Sequence, residues 1–366
     1  MAEEVSTSVP VVVVEDDRVL RQLQVLLDPR ASAERAAAYA DFVVHDQPDW
    51  YGWRDALRAR IPGLFPADVR LVDSPESLRG QLPEAEVVVV ESLEMGGAEL
   101  ALAPRLRLVQ NFGMVAENID ARACAARGIV VRRLRRRTNI ALAEHTLLFA
   151  LALAKRFSFV NRLVTPERLE RAGLSLRPYD TRHTAAANFG RVPGLQSLYG
   201  RTLGLLGFGE IAREVALRAR AFGMKVIYHK RGRLPEETER LLDVGYRPFE
   251  RLFAESDMLS VHVPLSPATR GLVDAAALQR MRRGSFLINT ARADIVQREA
   301  LRAALASGQL AGAALDVLYD EPDNEQDPLL QLDNVLLTPH TAGASRLNGL
   351  ADAEDMLCGI SEQLRR

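Results

Sequence analysis

The sequence predicts an α/β protein of two domains, each built on a parallel sheet. Three observations carry that prediction. Short apolar runs, from Val11–Val14 to Val335–Leu337, alternate with stretches of helical spacing, the pattern of parallel strands joined by helices. A glycine turn, Gly207-Phe208-Gly209, follows one such run and opens a helix. With 366 residues and 48% hydrophobic content, the chain has enough apolar side chains for two cores.

In the first half, Val11–Val14 reads as a strand buried on both faces. Arg18–Leu27 reads as a helix and Phe42–His45 as a second strand. Gln47–Pro66, with both tryptophans and three prolines, reads as an irregular insertion or a short helix. Val69–Val72, Val87–Val90 and Leu106–Asn111 read as strands, the last followed by a helix that stops near Gly128. Ala141 to about Leu163 has the spacing of one long helix, and Thr165–Leu198 is a polar excursion.

The second half opens with strand Thr202–Leu206, helix Ile211–Ala221 and strand Lys225–His229. Strands follow at Met258–Val261, Ser285–Asn289, Ala313–Val317 and Val335–Leu337, with helices near Asp274–Gln279 and Arg298–Ser307. After His340 no strand remains, so the tail is expected to fold back as helix onto the first domain.

The net charge of −1 gives no bulk attraction to nucleic acid or anionic membranes. Two cysteines, Cys124 and Cys358, lack metal or disulfide spacing, so no metal site is expected and a reducing compartment fits. Met1–Ser6 lacks the basic start and apolar run of a signal peptide, so the expectation is a cytoplasmic protein.

The chemistry lies in three phrases: Ser285–Arg292, Ala314–Pro322 and Leu336–Gly343. A 2-keto acid presents a carboxylate beside its carbonyl. Arg292 can clamp that carboxylate with two donors and polarise the ketone. His340 can deliver the proton that accompanies hydride transfer, and Glu321 can orient the ring and favour its charged form. Gly207, Phe208, Gly209, Glu210 and Ile211 form the strand-turn-helix cradle of a dinucleotide, with Ala212 as the small residue that keeps helix and strand close. The adenosine ribose is read at the end of the next strand, about 20 residues on. There His229, Lys230 and Arg231, with Arg233 nearby, stand where an acid would reject a 2′-phosphate, so NADP is expected ahead of NAD. His262, His145, His183 and His45 are weaker candidates for acid–base work.

From about Leu106 to His340 these phrases resemble the D-isomer-specific 2-hydroxyacid dehydrogenase family, glyoxylate/hydroxypyruvate reductases included. The resemblance implies a Rossmann dinucleotide-binding domain, residues 140–338, inserted in a flavodoxin-like substrate domain, residues 1–139 plus 339–366. It implies that Arg292, Glu321 and His340 are the catalytic set, and that Asp316 contacts the nicotinamide carboxamide. Val263, Pro264, Thr269, Thr290, Ala291 and Gly343 match positions along the cofactor groove, and Ala143-Glu144-His145 matches a packing phrase in the family's linking helix. Asn111, Phe112, Gly113 and Met114 match the start of a substrate loop, with Val115 and Glu117 departing from the family's glycine and aspartate. A homodimer is also implied.

The activity so implied is reversible, NAD(P)H-dependent reduction of a small 2-keto acid to the D-2-hydroxy acid. Alternatives are a same-fold dehydrogenase of another small anion, such as formate or phosphite, or a nucleotide-sensing, corepressor-like binding protein. Two features stay outside this reading. Arg132, Arg133, Arg135, Arg136 and Arg137 read either as a solvated or interface loop or as a positive rim for anions. Val11–Asp17 resembles the acidic start of a receiver domain, but Glu91 stands where that domain needs an aspartate, and Met1–Arg122 holds no lysine.

Overall fold

The computed structural model describes residues 9–177, 179–322 and 324–366, so Met1–Ser6 lies outside it. The chain divides into two compact units, Met1–Thr138 with Ser345–Arg366, and Asn139–Ala344.

The first unit holds strands β1 (Val11–Glu15), β2 (Asp68–Val72), β3 (Val87–Val90), β4 (Leu108–Asn111) and β5 (Val130–Arg133). All pairings are parallel, in the order β2-β1-β3-β4-β5. This is the flavodoxin-like order, reversing between β1 and β3. Val12–Val14 and Val87–Val90 are fully buried, as unbroken apolar runs in a parallel sheet must be. At the end of β1, Glu15 Oε2 accepts the backbone N–H groups of Glu91, Ser92 and Leu93, so the acidic start fixes the loop after β3.

Phe42–His45 is not a strand. Helix Ala33–Val43 takes Phe42 and Val43, with Val44 and His45 in the turn after it, because Ala36, Tyr39, Ala40 and Val43 recur at helical spacing and pack on the core. Helix Trp50–Arg60 follows, capped by the Asp49 side chain. Trp50 is buried there, stacked on Trp53 with ring centroids 5.4 Å apart. Nor do the arginines of 132–137 share one loop. Arg132 and Arg133 lie on β5, and Arg137 begins the helix Arg137–Ala154. That helix starts before Ala141 and stops well short of Leu163, where Arg156 turns left-handed at φ 49°. The tail is helix Arg346–Leu364, whose Leu350, Ala353, Met356, Leu357 and Ile360 enter the core of the first unit.

The second unit holds β6 (Thr202–Leu206), β7 (Lys225–His229), β8 (Gly245–Tyr246), β9 (Met258–Val261), β10 (Ser285–Asn289), β11 (Leu310–Leu315) and β12 (Val335–Leu337). The order is β12-β11-β10-β9-β6-β7-β8, parallel throughout. It is the doubly wound Rossmann order with one strand added, reversing between β6 and β9. Ligands of such sheets bind beyond the carboxyl ends of the strands at that reversal. This unit runs past residue 338 to Ala344 because Asp316, after β11, holds Thr341 and Ala342. Beyond helix Pro166–Arg171, the described residues of 172–198 form no helix or strand. Among the described residues, no helix is long and apolar enough to cross a membrane.

Candidate active site

At the carboxyl end of β6 the chain turns through Gly207 at φ +94°. A Cβ there would lie 2.5 Å from the carbonyl oxygen of His262, so conformation and space both demand glycine. Gly209 differs: a Cβ on it would meet nothing within 4 Å. Gly209 is the N-cap of helix Glu210–Ala221 and has no side chain to cap it, in contrast to the helices begun by Asp49, Ser74 and Asp274. The helix therefore begins with N–H groups that no capping side chain takes, beside open space, which suits a pyrophosphate. Phe208 and Ala212 are buried, Ile211 is half-buried, and Glu210 accepts from Asn139 Nδ2 at 2.8 Å.

At the end of β7 the cations separate. Arg233 donates to Glu239 at 3.0 and 2.7 Å through Nε and Nη2. Glu239 is held below the usual carboxylate range by that guanidinium and also accepts from Tyr228. Burial and this carboxylate push the Tyr228 phenol up to about 12. His229 Nδ1 lies 3.0 Å from the carbonyl oxygen of Arg247. Lys230 is half-buried and Arg231 exposed, and neither carries an ion pair or a side-chain hydrogen bond to another described residue.

Beyond β9, Thr269 Oγ1 closes the loop by donating to Pro264 O at 2.6 Å, and Val263 is half-buried below it. His262 is half-buried with its Nε2 2.8 Å from Ser260 Oγ, and desolvation of the ring pushes it down to about 4. Beyond β10, Asn289 Oδ1 accepts from Ala291 N and its Nδ2 donates to Arg292 O, both near 3 Å. Asn289 thus shapes the turn that presents Arg292, a residue the sequence reading passed over although asparagine at a strand end signals such a turn. Thr290 is buried with its Oγ1 3.5 Å from that of Thr146, and Arg292 is exposed.

Glu321 follows β11 on a loop stapled by Arg298, which pairs with Asp320 at 3.4 Å and with the buried Asp327 at 2.6 Å. His340 Nδ1 lies 3.0 and 3.2 Å from the two carboxylate oxygens of Glu321. That hydrogen bond holds the Glu321 carboxyl below its usual range, helped by the Leu318 N–H and by the charges of His340 and Arg292. Arg292, Glu321 and His340 therefore share one electrostatic neighbourhood on the second unit. Asp316 is 1% exposed, and both its oxygens accept from the segment 338–342, with Gly343 half-buried just beyond. His145 Nε2 lies 3.3 Å from Thr338 Oγ1, so this histidine bonds as well as packs.

The loop after β4 belongs to the first unit. Asn111 is buried and spends its Nδ2 on Gly113 O and Val115 O. Phe112 is buried with the Arg136 guanidinium 4.1 Å above its ring, and Arg136 pairs with Glu91 at 2.7 Å. Gly113 is buried, and Met114 is the exposed side chain of the four. Asn111 and Phe112 shape this loop from within. Among the described residues, no group of three or more His, Cys, Asp or Glu side chains could hold a metal ion.

Residues 175–342 match the family model described as D-isomer specific 2-hydroxyacid dehydrogenase, NAD binding domain. The chain is 37% identical over 287 residues to the glyoxylate reductase of Korarchaeum cryptofilum (strain OPF8), covering 73% of this chain and 79% of that protein. It is 39% identical over 247 residues to the glyoxylate reductase of Aeropyrum pernix, covering 68% and 70%. Among solved structures, the TT0316 protein from Thermus thermophilus matches with TM-score 0.50 and 31% identity, covering 84% of this chain and 91% of that one. The D-mandelate dehydrogenase of Rhodotorula graminis matches with TM-score 0.57 at 23% identity, covering 96% and 93%, a likeness of fold.

Proposed function

The chain belongs to the D-isomer-specific 2-hydroxyacid dehydrogenase family and is an oxidoreductase with a nicotinamide dinucleotide domain, and from that premise we propose that it reduces a small 2-keto acid to the D-2-hydroxy acid with NADPH. The observation that carries the reading is the His340–Glu321 pair beside Arg292, on the unit that holds the uncapped helix start at Gly209. The relatives named glyoxylate reductase support a small keto acid as substrate.

Gly207–Ile211 would hold a nicotinamide dinucleotide, which would supply the hydride. Arg292 takes the substrate carboxylate with its remaining N–H groups, as among the described residues its guanidinium makes one hydrogen bond, from Nη1 to Ala291 O. His340 would give a proton from Nε2 to the carbonyl oxygen of the keto acid. Glu321 accepts from Nδ1, fixes the ring and offsets the imidazolium charge. Lys230 and Arg231 meet the 2′-phosphate. Val263, Pro264, Thr269, Thr290, Ala291 and Gly343 line the groove. The protein is proposed as a homodimer, for which light scattering should give about twice the 40.4 kDa of one chain. The cytoplasm is the proposed compartment, since Cys124 and Cys358 are both free.

The test is NADPH consumption with glyoxylate, hydroxypyruvate and phenylpyruvate. Turnover of one or more is expected. Cofactor binding without turnover of any would leave a binding protein in place of an enzyme.

A further inference from the structure

One buried carboxylate holds the chain on both sides of His340, through the Thr338 hydroxyl before it and through backbone N–H groups after it. Asp316 Oδ1 accepts from Thr338 Oγ1 at 2.6 Å and from Thr341 N at 2.8 Å. Its Oδ2 accepts from Ala342 N at 2.8 Å. His340 stands between these anchors with φ 55°, a left-handed conformation that a residue with a Cβ keeps only where its surroundings impose it.

The hydroxyl of Thr338 also fixes the sense of the next bond. It has one proton, and at 2.6 Å that proton goes to Asp316, which accepts only. Toward His145, 3.3 Å away, Thr338 must therefore accept, so His145 carries a proton on Nε2. The His145 ring is held edge-on to Phe149, with centroids 4.4 Å apart, and its Nε2 is 3.8 Å from Asp316 Oδ1. The result is a one-way chain from His145 N–H through Thr338 O–H to the Asp316 carboxylate, behind the loop that carries His340.

We propose that Thr338 is a positioning residue. With His145 behind it, it locks Asp316 onto the two sides of His340, so that Nδ1 meets Glu321 while Nε2 stays aimed at the substrate. The catalytic role of His340 rests on the function proposed above, but the lock itself is a property of the folded chain. Proton transfer is sensitive to such placement, since an error of about 1 Å can cost about 10²-fold in rate.

Three variants test it. Thr338→Val keeps the shape and removes the hydroxyl, Thr338→Ser restores the hydroxyl, and His145→Phe keeps a ring beside Phe149 and removes the bond. Thr338→Val should lower kcat for keto-acid reduction by about 10- to 100-fold with the NADPH Kd near its wild-type value. Thr338→Ser should recover most of the loss. His145→Phe should show a smaller fall in the same direction, and it reads the lock if Thr338→Val does not fold.

The decisive readout needs no turnover. The His340 imidazole is titrated by NMR with and without Glu321→Gln. In wild type, losing Glu321 should move the His340 midpoint to lower pH, and on Thr338→Val that move should shrink, because the pair has come apart. A structural role alone would lower thermal stability and leave the move intact, which would overturn the proposal. A raised NADPH Kd with kcat unchanged would overturn it too, and would assign the network to the cofactor. If wild type turns over no keto acid, the proposed function falls, while the titration still decides the lock.

Discussion

His340 and Glu321 meet through Nδ1 and a carboxylate at 3.0 Å, although each side chain is nearly half exposed and nineteen residues separate them in sequence. An exposed pair contributes little to stability on its own. Its place beside Arg292, on a backbone held left-handed, points to a catalytic use.

His340→Ala should lower turnover by about 10²–10⁴-fold, the usual contribution of a placed acid–base group, and leave cofactor affinity unchanged. Steady-state kinetics with a fluorescence titration of NADPH checks both. Near-normal turnover would remove His340 from the mechanism.

Glu321→Gln should cost less and shift the reduction profile to lower pH. The imidazolium loses its counter-charge, so it gives up its proton sooner as pH rises. In wild type the lowered pKa of Glu321 adds an acid-side limit: the pairing holds above the ordinary carboxylate value and fades as pH falls through the depressed one. A kcat profile that does not move in the variant would count against the pair.

Lys230 and Arg231 carry the cofactor preference in this reading, since Glu239 already holds Arg233. One charge-assisted contact to a 2′-phosphate contributes about 1.5–3 kcal/mol, so the kcat/KM ratio should favour NADPH over NADH by about tenfold or more. Replacing both by alanine should erase most of that ratio and spare the NADH kinetics. A wild-type ratio favouring NADH would show that both cations serve only solvent.

Stability should fall as pH drops from the ordinary histidine value of 6.5 toward 4, because desolvation of the half-buried His262 pushes its pKa down to about 4. The unfolded chain takes up that proton first, so it gains on the folded one throughout this window, by about 3 kcal/mol at its acid end. Burial lowers His145 as well, so it adds in the same direction. Thermal unfolding from pH 7 to 4 should show a shallower fall for His262→Asn, and equal slopes would deny His262 this role.

The sheet strands were legible because parallel strands buried on both faces must read as apolar runs, as Val11–Val14, Val87–Val90 and Ser285–Asn289 do. The edge strand β5 was not, since an edge needs little apolar surface and Val130–Arg133 is half arginine. Phe42–His45 misled because a short apolar run fits either period, and its helical partners lie upstream at Ala36, Tyr39 and Ala40. Arg292, Glu321 and His340 stood out because each sits in a phrase tied to a strand end. Thr338 and His145 did not, since their bond closes over 193 residues and neither neighbourhood hints at the other. Sequence equally hid the diversion of Arg233, which needs the buried Glu239 on the next helix.

The helix Arg346–Leu364 has a consequence for the order of events on the ribosome. Residues 139–344 are continuous, so their sheet can close as soon as that stretch has emerged. The first unit lacks Leu350, Met356 and Ile360 until residues 346–364 appear, and until then its valine strands have an unfilled flank. Nascent chains cut before Ser345 would therefore be protease-resistant in the middle and labile at the front, with chaperone demand concentrated on residues 9–138.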